Sequence, residues 1–211
     1  MKYNSWGIYN PGIVILHGDD TTKLPVLFAT IDNAKKTGLP ICIASPKAIK
    51  NKVVDGSVTK YGGQELNRIE RVIKAGFEIK SDPVVILKSC CPLVEDTLIK
   101  RCLNMYKRRG VEYISTTQYK EDEFVDTPTS KFPKGLDLEI VSYRLLIKAY
   151  NNATSDIDRY YINSWIVRNY GFHLFNQGTV TLDKSKNYIV KGPNKLKRLK
   201  ELEKPYWKRD S

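Results

Sequence analysis

Residues 84–94 read V-V-I-L-K-S-C-C-P-L-V, an apolar run that meets Lys88 and is followed by two cysteines and a proline. The aliphatic residues at 84–87 are typical of a strand buried on both faces, because a half-buried strand would alternate with polar residues. Two similar runs precede it, G-I-V-I-L at 12–16 and L-P-I-C-I-A-S at 39–45. Several strands of this kind predict a mostly parallel sheet.

Segments with helical spacing follow the predicted strands. Between residues 65 and 75 the apolar side chains share one helical face, and Gly76 is expected to end this helix. The pattern also predicts helices over 94–108, 142–151 with Ser142 as N-cap, 158–170 and 194–202, and a strand over 113–117. This alternation predicts one α/β domain over 1–211, a three-layer α/β/α arrangement in which ligands bind beyond the carboxyl ends of the strands.

Length and cysteine content restrict the class of protein. A chain of 211 residues can bury the core of one domain, and no apolar run is long enough to cross a membrane. The N-terminus lacks the basic and apolar regions of a secretory signal. The four cysteines (Cys42, Cys90, Cys91 and Cys102) lie in apolar segments without C-x-x-C spacing. We therefore expect reduced thiols rather than a disulfide framework or zinc site, in a cytoplasmic protein.

The formal net charge of +12 needs an explanation. Many of the cations come late in the chain: Lys184, Lys186, Lys191, Lys195, Lys197, Arg198, Lys200, Lys204, Lys208 and Arg209. Such a balance suits nucleic acid, an anionic surface or a phosphorylated small molecule, and it is also typical of a solvated lysine-rich face. No zinc finger, helix-turn-helix or RNA-binding aromatic pattern accompanies the lysines, so nucleic acid is the less favoured partner.

A second informative segment is F-P-K-G-L-D-L-E-I at 132–140, which we interpret together with the run at 84–94. Together they resemble the cytidylyltransferases of the CMP-sugar synthetase and spore coat polysaccharide type, whose strand usually ends T-G-D-C-P-L-I and whose later segment reads P-D-G-L-D-V-E-V. The resemblance implies a nucleotide-diphospho-sugar transferase (Rossmann-like) fold. It also implies a dimerisation arm at about 132–175, followed here by a basic helix at about 193–211. We expect a homodimer, because the arm carries Tyr160, Tyr161, Trp165 and Tyr170.

The nucleotide-binding half of the family pattern is matched in part. Residues 16–27, L-H-G-D-D-T-T-K-L-P-V-L, resemble the phosphate loop A-R-x-x-S-x-R-L-P-x-K, but Gly18 replaces its first Arg and Leu27 its Lys. Residues 61–71, Y-G-G-Q-E-L-N-R-I-E-R, resemble F-R-G-S-E-D-D-V-L-G-R, which contacts base and ribose. The nucleotide-binding candidates that the resemblance implies are Gly18, Thr21, Thr22, Lys23, Gly63, Glu65, Arg71 and Lys88. A phosphate loop needs cations, so these losses weaken it.

The sugar-binding half of the pattern is also present in outline. Asp137 and Glu139 reproduce G-L-D-x-E, although Lys134 replaces an Asp just before it. Residues 158–166, D-R-Y-Y-I-N-S-W-I, resemble R-E-H-V-T-P-Y-I, with Arg159 on the Arg. The resemblance thus implies Lys134, Asp137, Glu139 and Arg159 as sugar-site candidates. For Asp137 and Glu139, a polar pair at a sheet edge is an equal alternative.

The two metal-binding positions of the family pattern have lost their carboxylates. Cys90 stands where the strand motif has an Asp, and Lys191, in Y-I-V-K-G-P-N-K-L at 188–196, stands where L-x-V-D-T-P-E-D-L has another. Mg²⁺ prefers hard oxygen ligands, which neither a thiol nor an ammonium supplies. Cys90 in place of Asp changes the local formal charge by +1, and Lys191 in place of Asp changes it by +2. A site with this charge repels Mg²⁺ and attracts anions. We predict no Mg²⁺ cofactor and a loss of metal-dependent nucleotidyl transfer, as in a pseudoenzyme.

Three functions remain open. The first is a cytidylyltransferase-like protein of nucleotide-sugar (surface glycan) metabolism that binds a nucleotide or sugar phosphate without metal, with Lys88 and Lys191 in place of the ion. The second is an active CTP:sugar cytidylyltransferase making a CMP-sugar, and the third is a basic structural or nucleic-acid-associated protein that reuses the fold. Lysines at strand ends also simply extend toward solvent. His17 and the Cys90–Cys91 pair are weaker catalytic candidates, because a lone His is more often structural and the thiols lack an evident His or Asn partner.

Overall fold

The computed structural model describes residues 9–18, 24–46, 58–64, 66–116, 132–171, 173–175, 179–180, 186–200 and 207–208. The strands are β1 (Gly12–Leu16), β2 (Ile41–Ser45), β3 (Thr59–Gly62), β4 (Val84–Lys88), β5 (Tyr113–Ser115), β6 (Leu138–Val141), β7 (His173–Leu174), β8 (Thr179–Val180) and β9 (Trp207–Lys208). The helices are α1 (Leu24–Lys35), α2 (Arg68–Glu78), α3 (Asp96–Arg109), α4 (Tyr143–Asn152), α5 (Asp156–Tyr160), α6 (Ser164–Tyr170) and α7 (Pro193–Lys200).

The strands β1 to β7 form one sheet in the order β3-β2-β1-β4-β6-β5-β7. β1 pairs in parallel with β2 and β4, β2 with β3, and β5 with β7. β6 runs antiparallel to both of its neighbours, and β8 and β9 form a separate antiparallel pair. The predicted mostly parallel sheet is confirmed, and β6 is a reversed strand that the sequence pattern did not indicate.

Two apolar cores cover the two faces of this sheet. One contains Ile13 and Leu87 together with residues of α1, α3 and α7. The other contains Val14 and Ile86 together with residues of α2, α4 and α6. Successive residues of a strand point to opposite faces, so a strand that is apolar at every position serves both cores. The predicted three-layer α/β/α arrangement is therefore confirmed.

Side-chain caps mark the start of α2, α4 and α5, and that of α5 is Ser155. Ser142 precedes α4 as predicted, and its Oγ accepts a hydrogen bond from the Leu145 backbone N–H at 3.0 Å. Asn67 precedes α2 and accepts from the Glu70 N–H at 3.2 Å. Each cap satisfies a donor that the first helical turn leaves without an intrahelical partner.

The prediction that Gly76 ends the second helix is wrong, because α2 continues to Glu78. Gly76 has a packing role instead. A Cβ at this position would lie 3.0 Å from a methyl of Val84, so the missing side chain lets α2 lie close against β4.

Two further elements differ from the sequence-based prediction. The sequence indicated no helix where α1 lies, and Leu27, which the resemblance places at a phosphate-loop Lys, is fully buried in the core. The predicted helix over 158–170 is two helices, α5 and α6. The break follows from Asp158, which is buried on α5 and accepts from Ser164 Oγ at 2.9 Å while pairing with Arg168 of α6.

The C-terminal part of the chain is helical over α7, and this helix does not extend through 193–211, since 207–208 form β9. Within the predicted arm at 132–175, β6 and β7 belong to the main sheet, and α4 and α6 pack on one of its faces. No helix in the described part of the chain is long and apolar enough to cross a membrane.

Candidate functional site

Several segments meet at one edge of the sheet, where β1, β2, β3 and β4 end; we call it the carboxyl edge. Because β6 is antiparallel to β4, with Leu87 opposite Leu138, the residue before β6 lies at this same edge. Lys88 at the end of β4 is thereby placed beside Asp137. Ligands of sheets built in this way bind beyond the carboxyl ends of the strands.

Lys88 and Asp137 form a loose ion pair at the carboxyl edge. The Lys88 Nζ lies 3.5 Å from Asp137 Oδ2, and the side chains are 38% and 10% exposed. Burial lowers the pKa of Lys88, but the Asp137 and Glu139 carboxylates and the Cys90 and Cys91 thiols together raise it by more, so the net shift is upward. The ammonium therefore stays charged at neutral pH, with part of its surface open to solvent.

Two neighbouring thiols extend this cluster. The Sγ atoms of Cys90 and Cys91 are 4.0 Å apart, and Cys91 Sγ lies 3.8 Å from Asp137 Oδ2. The hydrogen bond with Cys91 lowers the pKa of Cys90 to about 7, burial opposes this shift, and the Lys88 charge reinforces it. The same hydrogen bond and complete burial raise the pKa of Cys91. The pair thus offers one ionisable thiol and one protonated thiol.

A late segment crosses the carboxyl edge and brings Lys191 to it. The backbone N–H of Tyr188 donates to Lys134 O at 2.7 Å, and that of Val190 donates to Cys90 O at 2.8 Å. Gly135 makes this crossing possible: its φ is +102°, and a Cβ there would lie 2.4 Å from the Tyr188 carbonyl carbon. Lys191 directly follows Val190 and is exposed. The structure therefore places Cys90 and Lys191 side by side.

A buried polar group lies beneath the edge. His17 is 4% exposed, and its Nδ1 shares a hydrogen bond with Ser89 Oγ at 2.9 Å. The guanidinium of Arg71, itself buried, donates to the His17 carbonyl oxygen at 3.4 Å. Arg71 also packs against Gly63, where a Cβ would lie 2.8 Å from the Arg71 side chain. Arg71 and Gly63, two of the nucleotide-binding candidates, are thus in contact with each other.

Sequence reasoning named His17 as a weak catalytic candidate but missed its hydrogen bond with Ser89. The resemblance gave Ser89 no role, and a His at a strand end is most often structural. Their contact spans 72 positions and depends on β1 and β4 being neighbours in the sheet. Each residue comes just after an apolar run that predicts a strand. Had these two strands been known to be parallel neighbours, the contact between His17 and Ser89 could have been predicted.

The remaining nucleotide-binding candidates divide into two groups. Gly18 is exposed at the carboxyl edge, and no atom lies within 4 Å of the position where its Cβ would be. Thr21, Thr22, Lys23 and Glu65 lie outside the described residues.

The sugar-site candidates are not all brought together. Glu139 is buried within β6 and accepts from the Tyr113 hydroxyl at 3.2 Å. β6 is an internal strand between β4 and β5, so Glu139 does not lie on an edge strand, as the alternative of a sheet-edge polar pair required. Arg159 is exposed on α5, a helix that packs against α2 and α6. Lys134 is exposed at the crossing, close in sequence to Asp137.

The side chains at the two metal positions do not fit Mg²⁺. Mg²⁺ binds oxygen ligands, and Cys90 offers sulfur while Lys191 offers a positive charge. The nearest carboxylate, Asp137, already faces the Lys88 ammonium. In the described part of the chain no group of three or more His, Cys, Asp or Glu side chains is placed to hold a metal ion.

Solved cytidylyltransferases share this fold. A cytidylyltransferase from Leptospira borgpetersenii superposes with a TM-score of 0.62 at 18% identity, over 80% of this chain and 76% of that chain. A CMP:2-keto-3-deoxy-manno-octonic acid synthetase, solved in complex with CTP, gives 0.61 at 10% identity over 90% and 96%. The 2-C-methyl-D-erythritol 4-phosphate cytidylyltransferase of Thermus thermophilus gives 0.57 at 15% identity over 90% and 96%.

Neither a family model nor a curated protein sequence matches this chain. Sequence identities of 10% to 18% to the solved structures show the fold alone. The fold class predicted from the run at 84–94 and the segment at 132–140 is thereby confirmed. The chain has the mixed-sheet α/β fold of the cytidylyltransferases.

Proposed function

We propose that this protein binds a cytidine nucleotide or a sugar phosphate at the carboxyl edge without a divalent metal, and does not carry out Mg²⁺-dependent nucleotidyl transfer. One observation carries the proposal. The hydrogen bond from Val190 N–H to Cys90 O, at 2.8 Å, sets side by side the two positions where the enzymes it resembles have metal-binding carboxylates. Here these positions hold a thiol and an ammonium, which replace a cation-binding pair by an anion-attracting one.

Three lysines supply positive charge around this point. Lys88 is half-buried. Lys134 and Lys191 are exposed, and they lie on two loop segments that are joined by the hydrogen bond from Tyr188 N–H to Lys134 O. An ammonium binds phosphate oxygens as a point charge, without the fixed geometry of a metal. Lys88 is the strongest of the three because its charge is less screened by water than that of an exposed lysine.

The class of ligand is inferred from the fold and from the acceptors that remain. One structure with this fold was solved with CTP bound, which supports a cytidine nucleotide as the ligand. Glu139 is engaged by Tyr113, so Asp137 is the carboxylate available to a sugar hydroxyl. We place the protein in nucleotide-sugar metabolism on this basis, as a binding protein for a nucleotide or sugar phosphate.

A pyrophosphate-release assay tests the proposal against the active-enzyme alternative. With CTP, Mg²⁺ and a panel of acidic sugars, we expect turnover more than a hundredfold below the ~10 s⁻¹ typical of enzymes. A cytidylyltransferase known to be active under the same conditions serves as the positive control. Turnover close to that typical value would establish the active CTP:sugar cytidylyltransferase and overturn the proposal.

A second candidate function, nucleic-acid binding, is favoured by a basic cavity on α3. Its lining is Arg101, Asn104, Met105, Arg108 and Arg109. These residues occupy the last turns of α3, which lead toward the start of β5 and away from the carboxyl edge. Binding of this kind should weaken steeply with salt. Fluorescence anisotropy of labelled single-stranded RNA should then fall with R108E/R109E and not with the exposed Lys148→Glu on α4.

The homodimer remains a proposal, and the structure supplies a sharper test of it. Ile157 and Tyr161 are 58% and 41% exposed beside α5, whereas Trp165 packs partly against the core. An exposed apolar pair is suited to an interface between copies of the chain. Light scattering at micromolar concentration should give a dimer for the wild type and a monomer for I157D. A monomeric wild type would contradict this proposal.

A further inference from the structure

The four cysteines of this protein differ sharply in exposure. Cys42, Cys91 and Cys102 are fully buried, whereas Cys90 is partly exposed at the carboxyl edge. Burial in apolar surroundings raises the pKa of Cys42 to about 12 and also raises that of Cys102. Such thiols are protonated and inaccessible, so they are inert toward reagents that need a thiolate.

Cys90 has a different environment, built by Lys88 and Cys91 from its own segment and by Asp137 from the segment before β6. Cys91 Sγ, 4.0 Å away, lies between Cys90 Sγ and Asp137 Oδ2, and its single proton can be donated to either. Lys88, two residues earlier on β4, points its ammonium to the same carboxylate at 3.5 Å. A thiolate formed at Cys90 therefore has a thiol donor at hand and a partly solvated cation close by.

The groups that face Cys90 act in opposite directions. Cys91 and the Lys88 ammonium favour the thiolate, while the Asp137 carboxylate and burial disfavour it. The favourable contributions prevail, and the pKa of Cys90 falls to about 7. Glu139 on β6 acts on Lys88, whose pKa it raises.

We propose that Cys90 is a modification site that reacts with small disulfides to form a mixed disulfide, while the other three cysteines stay reduced. The Cys90 thiolate attacks one sulfur of the disulfide, so that one S–S bond forms as the other breaks. The displaced thiolate leaves and takes up a proton from water. The oxidant is the small disulfide itself, and each reaction consumes one disulfide and releases one thiol.

Modification at this position has a consequence that rests on the proposed function. The Cys90 carbonyl oxygen holds Val190, and thereby the segment that carries Lys191, at the carboxyl edge. A group attached to Cys90 Sγ would lie near Lys88, two residues earlier on the chain, and near the backbone segment that carries Lys191. It should therefore hinder the approach of a phosphate to these lysines.

The test uses the native full-length protein and an aromatic disulfide whose released thiol is coloured. One thiol per chain should react, and peptide mapping should find the label on Cys90. The rate should rise with a midpoint near pH 7 rather than near 9. At pH 7 half of the thiol is ionised instead of about 1%, and after allowance for the lower nucleophilicity of a more acidic thiol the rate should be about sixfold that of an unperturbed one.

Two variants separate reactivity from general accessibility. Cys90→Ser should abolish the fast reaction, and Lys88→Gln should slow it at pH 7 and move the midpoint to higher pH. Lys100→Gln is the matched control, since Lys100 is an exposed lysine on α3 that pairs with Asp96. Circular dichroism of each variant establishes that the fold is retained.

Several outcomes would overturn the inference. These are a label on Cys42, Cys91 or Cys102 at a comparable rate, a midpoint near pH 9, or an unchanged midpoint in folded Lys88→Gln. Cytidine monophosphate binding is measured separately by calorimetry before and after labelling. Labelling that leaves nucleotide binding intact would move the nucleotide site away from Cys90, whereas the modification site would stand.

Discussion

Two buried carboxylates, each paired with a cation, differ in how completely they are satisfied. Asp158 on α5 is 3% exposed, accepts from Ser164 Oγ at 2.9 Å and pairs closely with Arg168. Asp137 at the carboxyl edge is 8% exposed, but its contacts are long, 3.5 Å to Lys88 Nζ and 3.8 Å to Cys91 Sγ.

The difference separates a structural ion pair from one that can take part in binding. The contacts of Asp158 are short and local. Burial raises its pKa, but the hydrogen bonds from Arg168, Ser164 and Ser155 together with the Arg168 charge lower it by more. Asp137 shares Lys88 with open solvent, so the ammonium retains donors for an incoming anion. A loosely held ion pair at the ligand-binding edge of an α/β sheet is the stronger functional candidate.

The largest effect is expected from breaking the Asp158–Arg168 ion pair, which we call the closed pair. Asp158→Ala should lower the free energy of unfolding by about 2–3 kcal/mol, because it removes charged hydrogen bonds and leaves the Arg168 charge without its carboxylate. Asp156→Ala, an exposed change on the same helix, should cost less than about 0.5 kcal/mol. Urea denaturation measures both. An equal loss of unfolding free energy in the two variants would show that the Asp158–Arg168 pair stabilises the protein no more than an exposed carboxylate does.

The same pair has a defined pH dependence. Since the folded-state pKa of Asp158 lies below its unfolded value, its stabilisation is present above about pH 4 and is lost as pH falls through the folded pKa. The difference in unfolding free energy between wild type and D158A should therefore shrink as pH is lowered from 5 to 2. Nucleotide affinity at pH 7 should not change, because the Asp158 carboxylate contacts Ser164 and Arg168 and none of the three lysines proposed to bind the anion.

Breaking the Lys88–Asp137 ion pair, which we call the open pair, should affect ligand binding rather than stability. Lys88→Gln should weaken the binding of cytidine monophosphate by about tenfold, which corresponds to about 1.4 kcal/mol and lies at the low end for charge-assisted contacts. Lys100→Gln, an exposed lysine in an ion pair on α3, should leave the affinity unchanged. Calorimetry at low salt measures both. A large loss of stability without a loss of affinity would make Lys88 a structural residue like Arg168.

A smaller effect is expected at Lys191. This side chain is exposed, so its charge is screened by water, and K191A should weaken nucleotide binding by about threefold. Lys197 on α7 is also exposed and serves as the control, with no change expected. A loss at Lys191 that exceeds the loss at Lys88 would reverse the order argued from burial. An unchanged affinity would place the anion away from the crossing segment.

Sequence patterns predicted the elements whose signal is local. The runs at 12–16, 39–45 and 84–88 are apolar at nearly every position, and all three are buried strands. Ser142 was predicted as an N-cap because capping depends on one side chain and the next three residues. The split of 158–170 was missed because it depends on contacts from Asp158 to Ser164 and Arg168, which an apolar helical pattern does not indicate.

Sequence patterns predicted the carboxyl edge only in outline. The resemblance paired Cys90 with Lys191, and the structure places them side by side through a backbone hydrogen bond that no side-chain pattern encodes. It also grouped Arg159 with Asp137, but α5 packs near the start of α2, where Tyr160 lies against the Arg68 guanidinium. The reversed direction of β6, which places Asp137 at the edge, comes from long-range pairing with β4 and β5.

The most direct test of metal-independent binding is calorimetric titration of the wild-type protein with CTP, once in EDTA and once in excess Mg²⁺. We expect binding in EDTA, with an affinity that Mg²⁺ leaves unchanged or weakens, because Lys88 and Lys191 replace the ion and Mg²⁺ neutralises part of the triphosphate. C90D/K191D, which restores carboxylates at both positions, should bind CTP more tightly with Mg²⁺ than without it. Binding of the wild type that appears only with Mg²⁺, or tightens tenfold or more with it, would contradict the account.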